Sequence, residues 1–246
     1  MLPRKITNRV SNANGEIKLD PPKTLENHPF FGLKLDDEQK AFRDAIWSDD
    51  CDAVFSNSKA GTGKTTLAVA TAMLLVEYGK YSGIYYMTQA GVHESKQGLL
   101  PGSLEEKSAP LFAPLYQAVT RLGYDPQRVI VNDFNMVAQK SGTAIINALT
   151  DSYIRGISIG EVDAPVVLIC DESQNLTLPA IRTVLSRVND GSKIVVIGHT
   201  GQIDLKYPQD SGFVRALERY RQEPWCRVCN LTKNYRGKIS SVADEL

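Results

Sequence analysis

The first residues in this chain with a recognisable chemistry are Ser58-Lys-Ala-Gly-Thr-Gly-Lys-Thr65. They follow a short β-branched and aromatic run, Asp52-Ala-Val-Phe55, and open into an apolar stretch from Leu67 to Val76. Strand, glycine loop and helix in that order make a phosphate cradle. Main-chain N–H groups of the loop and of the helix N-terminus converge on phosphate oxygens, Lys64 reaches the β- and γ-phosphates, and the Thr65 hydroxyl ligates Mg²⁺. The candidate nucleotide-binding residues are therefore Ser58, Ala60, Gly61, Thr62, Gly63, Lys64, Thr65 and Thr66. A second segment, Pro165-Val-Val-Leu-Ile-Cys-Asp171-Glu172, reads as a buried strand that delivers two carboxylates at its carboxyl end. Asp171 is placed to hold the metal with Thr65, and Glu172 to take a proton from an attacking water. The bland alternative, acidic residues favouring the N-terminus of the helix that follows, accounts for the charges but not for their place after a phosphate loop. A third loop, Gly198-His-Thr-Gly-Gln202-Ile-Asp-Leu205, leaves the next predicted strand and brings Gln202 towards the γ-phosphate, to orient water or to report phosphate loss. Read together, these segments imply a nucleoside triphosphate with Mg²⁺, bound and hydrolysed.

Such loops need rigid strands beneath them. The apolar and β-branched runs predict strands at 52–57, 83–88, 128–131, 165–170, 193–197 and 226–231. The intervening periodicity predicts helices at about 64–79, 103–122, 142–150, 177–188 and 210–221. Ile84-Tyr-Tyr-Met87, Val166-Val-Leu-Ile169 and Ile194-Val-Val-Ile197 are continuously apolar rather than alternating, the pattern of a parallel sheet covered on both faces. The expected architecture is α/β: a RecA-like, three-layer αβα sandwich with a mainly parallel sheet and its site outside the carboxyl ends of the strands. Residues 1–30, polar and dotted with proline, read as an N-terminal tail or arm, and 31–246 as one domain. Asp36 three residues before Gln39 forms a capping-box pattern that opens a helix at that domain's start.

Composition narrows the class. The chain has 246 residues, 42% hydrophobic, enough for one large α/β domain, and no apolar run approaches a membrane span. The N-terminus lacks an apolar leader core, and four scattered cysteines with a phosphate loop point to a reducing cytoplasm. With 28 basic and 28 acidic residues the net charge is zero, so any contact with nucleic acid must come from a local patch. One candidate is the segment 215–238, with Arg215, Arg219, Arg221, Arg227, Lys233, Arg236 and Lys238 against Glu218 and Glu223. A solvated basic face is the plain alternative. Cys226 and Cys229 have C-x-x-C spacing, but zinc would need two more ligands, and Cys170 sits inside an apolar strand as a small core residue.

The chain resembles the PhoH family of ATPases, whose cores are similar to the first RecA-like domain of superfamily 1 helicases. The resemblance rests on AGTGKT (60–65), GLLPGSLEEK (98–107) followed by PLYQAV (114–119), IRG (154–156), DESQN (171–175), GQIDL (201–205) and NYRG (234–237), in that order. It implies ATP as the nucleotide and adds Gln39 and Tyr235 to the binding set, with Tyr235 stacking on the base. Arg236 then neutralises the γ-phosphate, and its place far along the chain from Lys64 predicts that it completes a neighbouring subunit's site, with use in its own subunit as the alternative. It further implies a homo-oligomeric ring, possibly a hexamer, that acts on or near RNA or single-stranded DNA. Short members are common in bacteriophages, which would put the protein in a host cytoplasm. A nucleotide-dependent binding module with weak turnover, or a P-loop small-molecule kinase, are the alternatives. The block at 98–107 also reads as a simple turn, Pro101-Gly102, followed by a Ser103–Glu106 capping box. Four residues at three places depart from the family pattern: Ser58 for the first loop glycine, Gln89-Ala90 for Arg-Pro, and His199 for an aspartate. At Ser58 a positive φ would cost on the order of 1 kcal/mol or more.

Overall fold

The computed structural model describes residues 10–11, 17–18, 20–89, 110–131 and 144–243. Ahead of the domain, β1 (Val10–Ser11) and β2 (Ile17–Lys18) pair antiparallel as a short ribbon. The domain is built on β3 (Ala53–Asn57), β4 (Gly83–Thr88), β5 (Ile130–Val131), β6 (Ile146–Thr150), β7 (Val166–Cys170), β8 (Lys193–Gly198) and β9 (Cys226–Val228). These seven strands form one sheet in the order β5-β6-β4-β7-β8-β3-β9, every pair parallel. β8 thus lies between the strand that feeds the phosphate loop and the strand that carries Asp171 and Glu172. This is the α/β P-loop NTPase fold of RecA-like proteins.

The apolar runs become central strands because alternate side chains enter opposite cores. Val54, Val167, Ile169, Val195 and Ile197 join one cluster, while Ala53, Phe55, Leu168, Cys170, Ile194 and Val196 join the other. The first face is covered by α1 (Asp37–Trp47), α2 (Lys64–Glu77) and α3 (Ala113–Arg121). The second is covered by α5 (Leu178–Leu185) and α6 (Phe213–Tyr220). α4 (Pro126–Val129) is a single turn before β5, and α7 (Lys238–Ala243) follows the last strand. α2 is buried from Leu67 to Leu75, held between α1, α3 and the sheet, so it needs apolar side chains all round. Truncating Leu74 or Leu75 to alanine there costs about 2–5 kcal/mol. Within the segment read as a tail, Leu25 and Phe30 are fully buried in the first cluster, and the Trp47 indole donates to the Pro22 carbonyl at 3.0 Å.

Two element assignments change. Residues 146–150, expected within a helix, form β6 instead: Ile146, Ala148 and Thr150 are buried while Asn147 is exposed, and the strand pairs with both β4 and β5. Five residues hold too few periods to separate 2 from 3.6, so pairing between strands decides. The strand expected at 128–131 begins only at Ile130, because Asp125 caps Gln127 N and Pro126 starts a helical turn. The block at 98–107 lies outside the described residues.

Candidate active site

β3 ends at Asn57 and the chain turns through 58–63 into α2. Gly61 (φ 75°) and Gly63 (φ 85°) are left-handed, where a side chain would be strained. Gly61 is also closely covered: a Cβ there would stand 2.5 Å from Asn234 Oδ1 and 3.0 Å from Arg236 Cγ. Ser58 is not among the residues with positive φ, so the strain expected of a serine at that position does not arise. Its side chain is used instead. Fully buried, Ser58 Oγ lies 2.6 Å from Ser56 Oγ and accepts from Leu231 N at 2.7 Å.

Thr65 Oγ1 donates to Asp171 Oδ2 at 2.7 Å, and the Tyr86 hydroxyl donates to the same oxygen at 2.8 Å. Burial and the Asp171 charge hold the Tyr86 phenol well above its usual pKa, so it remains a donor. The Glu172 main-chain N–H adds a bond to Asp171 Oδ1 at 2.9 Å. Thr65 and Asp171 thus bring a hydroxyl and a carboxylate together, the hard oxygen donors that suit Mg²⁺.

Glu172 itself has φ 51°, an uncommon conformation for glutamate, at the sharp turn where β7 gives way to a short 3-10 turn over Ser173–Asn175. Burial, and then the Asp171 charge, raise its carboxyl pKa, while the Gln174 amide and Lys64 draw it back down. Gln174 is the organiser. It donates to Glu172 Oε2 at 2.6 Å and to the Gln202 carbonyl at 3.1 Å, and it accepts from His199 N at 3.0 Å. Asn57 ties the same loop to the end of β3, accepting from Thr200 N at 3.1 Å. Gln174, Tyr86 and Asn57 were not singled out by motif reading. Gln174 stood inside DESQN, the only one of the three with any local signal.

A cleft of about 530 Å³ opens over these groups. Ala60, Gly61, Gly63, Lys64, Thr65 and Thr66 line its phosphate end with Glu172 and Gln202; Leu33, Lys34, Leu35, Gln39 and Tyr235 line another wall; Pro114, Gln117 and Arg121 of α3 a third. Arg236 lines it too, in the same chain, because residues 229–235 run back along the phosphate loop: Cys229 N bonds to Phe55 O and Tyr235 N to Gly61 O, each at 2.9 Å. Thr232 is gripped by Glu38, and the Tyr235 hydroxyl donates to Asp36 Oδ2 at 2.5 Å. That bond, with burial second, pushes the Tyr235 phenol up to about 12. Three residues of the basic segment 215–238 have identified partners or places. Arg236 belongs to the cleft, Arg219 pairs with Glu223, and Arg227 donates to the Pro224 and Cys226 carbonyls. Cys51, Cys170 and Cys226 are buried as core residues. No described helix is long and apolar enough to cross a membrane.

Comparison with known proteins gives the family. Over 191 residues the chain is 34% identical to Protein PhoH2 of Bacillus subtilis, covering 76% of this chain and 41% of the relative. Over 180 residues it is 35% identical to a PhoH-like protein of Mycobacterium leprae, covering 73% and 47%. It therefore spans less than half the length of these two relatives. Among solved structures, unliganded Pif1 from Bacteroides sp aligns at 17% identity and TM-score 0.41, covering 84% of this chain and 43% of that one. The UvsW helicase of bacteriophage T4 aligns at 10% and TM-score 0.49, covering 80% and 60%. The profile described as PhoH-like protein matches residues 34–241, and the chain belongs to the PhoH family.

Proposed function

We propose that this protein is an ATPase. The observation that carries the reading is the 2.7 Å bond from Thr65 Oγ1 to Asp171 Oδ2, with Glu172 next in sequence and lining the same cleft as Lys64. Thr65 and Asp171 would hold Mg²⁺, which when bound neutralises charge on the β- and γ-phosphates. Lys64 and the loop N–H groups bind and orient the triphosphate. Glu172 accepts a proton from water as the water oxygen bonds to the γ-phosphorus. The bond from that phosphorus to the β–γ bridging oxygen breaks, and ADP and phosphate leave. The raised Glu172 pKa suits this role, because a stronger base takes the proton more readily.

Assembly into a ring and action on single-stranded RNA or DNA belong to the same proposal. Family membership supports them, as do Gln202 and Arg236, exposed in the cleft where a neighbouring subunit would cover them. Cytoplasmic placement follows from the same reading.

The test is steady-state phosphate release with Mg²⁺-ATP, with and without single-stranded RNA or DNA, beside light scattering for oligomeric mass. Turnover abolished by Lys64→Ala supports the ATPase. Tight binding with no release would identify a switch, and phosphate transfer to a small molecule a kinase; either result overturns it.

A further inference from the structure

Tyr86 sits on β4, next to the strand that delivers Asp171. It pairs with Ile169 of β7, and one residue on, the Met87 carbonyl accepts from Asp171 N at 2.8 Å. The Tyr86 ring is fully buried in the apolar cluster beneath α2. A phenylalanine would fill that place and bring no hydroxyl to satisfy. The hydroxyl that is there donates to Asp171 Oδ2 at 2.8 Å, and Thr65 Oγ1 donates to the same oxygen at 2.7 Å. A carboxylate oxygen accepts through two lone pairs, so these donors fill Oδ2 from β4 and from the start of α2. A cation could ligate that oxygen only by displacing one of them. Oδ1 accepts from Glu172 N at 2.9 Å, which uses one of its two lone pairs. Tyr86 has no exposed surface and reaches the cleft only through Asp171.

We propose that Tyr86 is a positioning residue for the metal site: with Thr65 it turns Oδ2 into the protein, fixes the plane of the carboxylate, and leaves Oδ1 as the oxygen that meets Mg²⁺ or its hydration water. The inference rests on the nucleotide reading of the cleft and deepens it by assigning the support of its metal ligand. Partners that orient a metal ligand from behind set metal affinity by about 10–100-fold, because a misplaced carboxylate must be reordered when the ion binds. A buried core tyrosine with no such role would contribute to stability alone.

Titration of Mg²⁺ into the complex with ADP tests this on the unaltered protein and on Tyr86→Phe, which removes the hydroxyl and keeps the ring that packs beneath α2. Tyr86→Phe is expected to weaken Mg²⁺ by about tenfold or more and to leave affinity for ADP without the metal within about twofold. In an Asp171→Asn background the same change is expected to cost no further Mg²⁺ affinity, because Tyr86 acts through the carboxylate. A second measurement keeps the hydroxyl: a fluorotyrosine placed at position 86 alone is expected to shift its fluorine resonance when Mg²⁺ joins bound ADP. Unchanged Mg²⁺ affinity in Tyr86→Phe overturns the inference, as does an equal loss of metal-free ADP binding. An undiminished effect in the Asp171→Asn background, or a fluorine resonance indifferent to Mg²⁺, overturns it too. Failure of the unaltered protein to bind ADP, with or without Mg²⁺, overturns the nucleotide reading itself.

Discussion

Ser58 Oγ accepts a hydrogen bond from Leu231 N at 2.7 Å, which joins the first residue of the phosphate loop to the segment that delivers Tyr235 and Arg236. A glycine at 58 would leave that N–H, on a residue only 2% exposed, without its partner. Ser58→Ala is expected to cost about 1–3 kcal/mol in denaturant unfolding, the cost of a buried unsatisfied donor. Because the loop backbone at 58 is unstrained, ATP affinity should change by less than turnover. Titration and phosphate release on the same variant would show the split, and a loss confined to affinity would contradict the coupling.

Lys64→Ala is expected to abolish nucleotide binding, since it removes the cation that faces the phosphates. Glu172→Gln is expected to keep binding and lose turnover by roughly 10²–10⁴-fold, the range for a removed general base. Equal affinity losses in the two variants would refute the role given to Glu172.

How much of this was legible in the sequence depends on where the information lay. The strands β4, β7 and β8 stand out because side chains on both of their faces pack into the two cores, which leaves Ile84–Met87, Val166–Ile169 and Ile194–Ile197 as unbroken apolar runs. Lys64 and Thr65 at the start of α2, and Asp171 and Glu172 just beyond β7, stand out in the sequence because phosphate-loop chemistry asks for those residue types in that order. β6 does not, since Ile146-Asn-Ala-Leu-Thr150 is defined by its neighbours β4 and β5, not by its own pattern. Nor do the supports of the site. Tyr86 reaches Asp171 across 85 positions, and Ser58 meets Leu231 across 173, contacts that no local window contains.

The pH profile follows from Glu172. Its folded pKa is raised, chiefly by burial and then by the Asp171 charge, so the active carboxylate forms only above the pH at which a free glutamate ionises. The acid limb of turnover is therefore displaced upward. Gln174→Ala removes a donor that favours the charged form and should shift that limb further up. The same sign governs stability. A carboxyl with a raised folded pKa favours folding at low pH, and that contribution disappears as pH rises through the folded value. At neutral pH the buried charge is a net cost, so Glu172→Gln should melt higher than the unaltered protein by roughly 1–3 °C. A lower melting temperature at neutral pH would contradict the shift.

Arg236 is expected to act within its own chain. The sequence alone, from its distance to Lys64 and its place near the C-terminus, predicts the opposite, an arginine that completes a neighbouring subunit's site. The structure lays it against Gly61, where Tyr235 N holds the Gly61 carbonyl at 2.9 Å and Arg236 Cγ stands 3.0 Å from where a Cβ would be. A side chain so close to the loop is expected to meet charge developing on the γ-phosphate of a nucleotide bound in its own chain. Such a cation contributes roughly three to five orders of magnitude in rate, so Arg236→Ala should lower turnover far more than affinity. Arg236→Lys should recover only part, because a point charge lacks the planar fork that bridges two oxygens. Mixing Lys64→Ala with Arg236→Ala protein separates the geometries. An arginine acting in its own chain leaves each subunit defective, and the mixture stays inactive even when isotope-labelled subunits are seen to exchange. Recovered phosphate release on mixing would mean that the arginine crosses to a neighbour, and the placement beside Gly61 would then not be the one used in turnover.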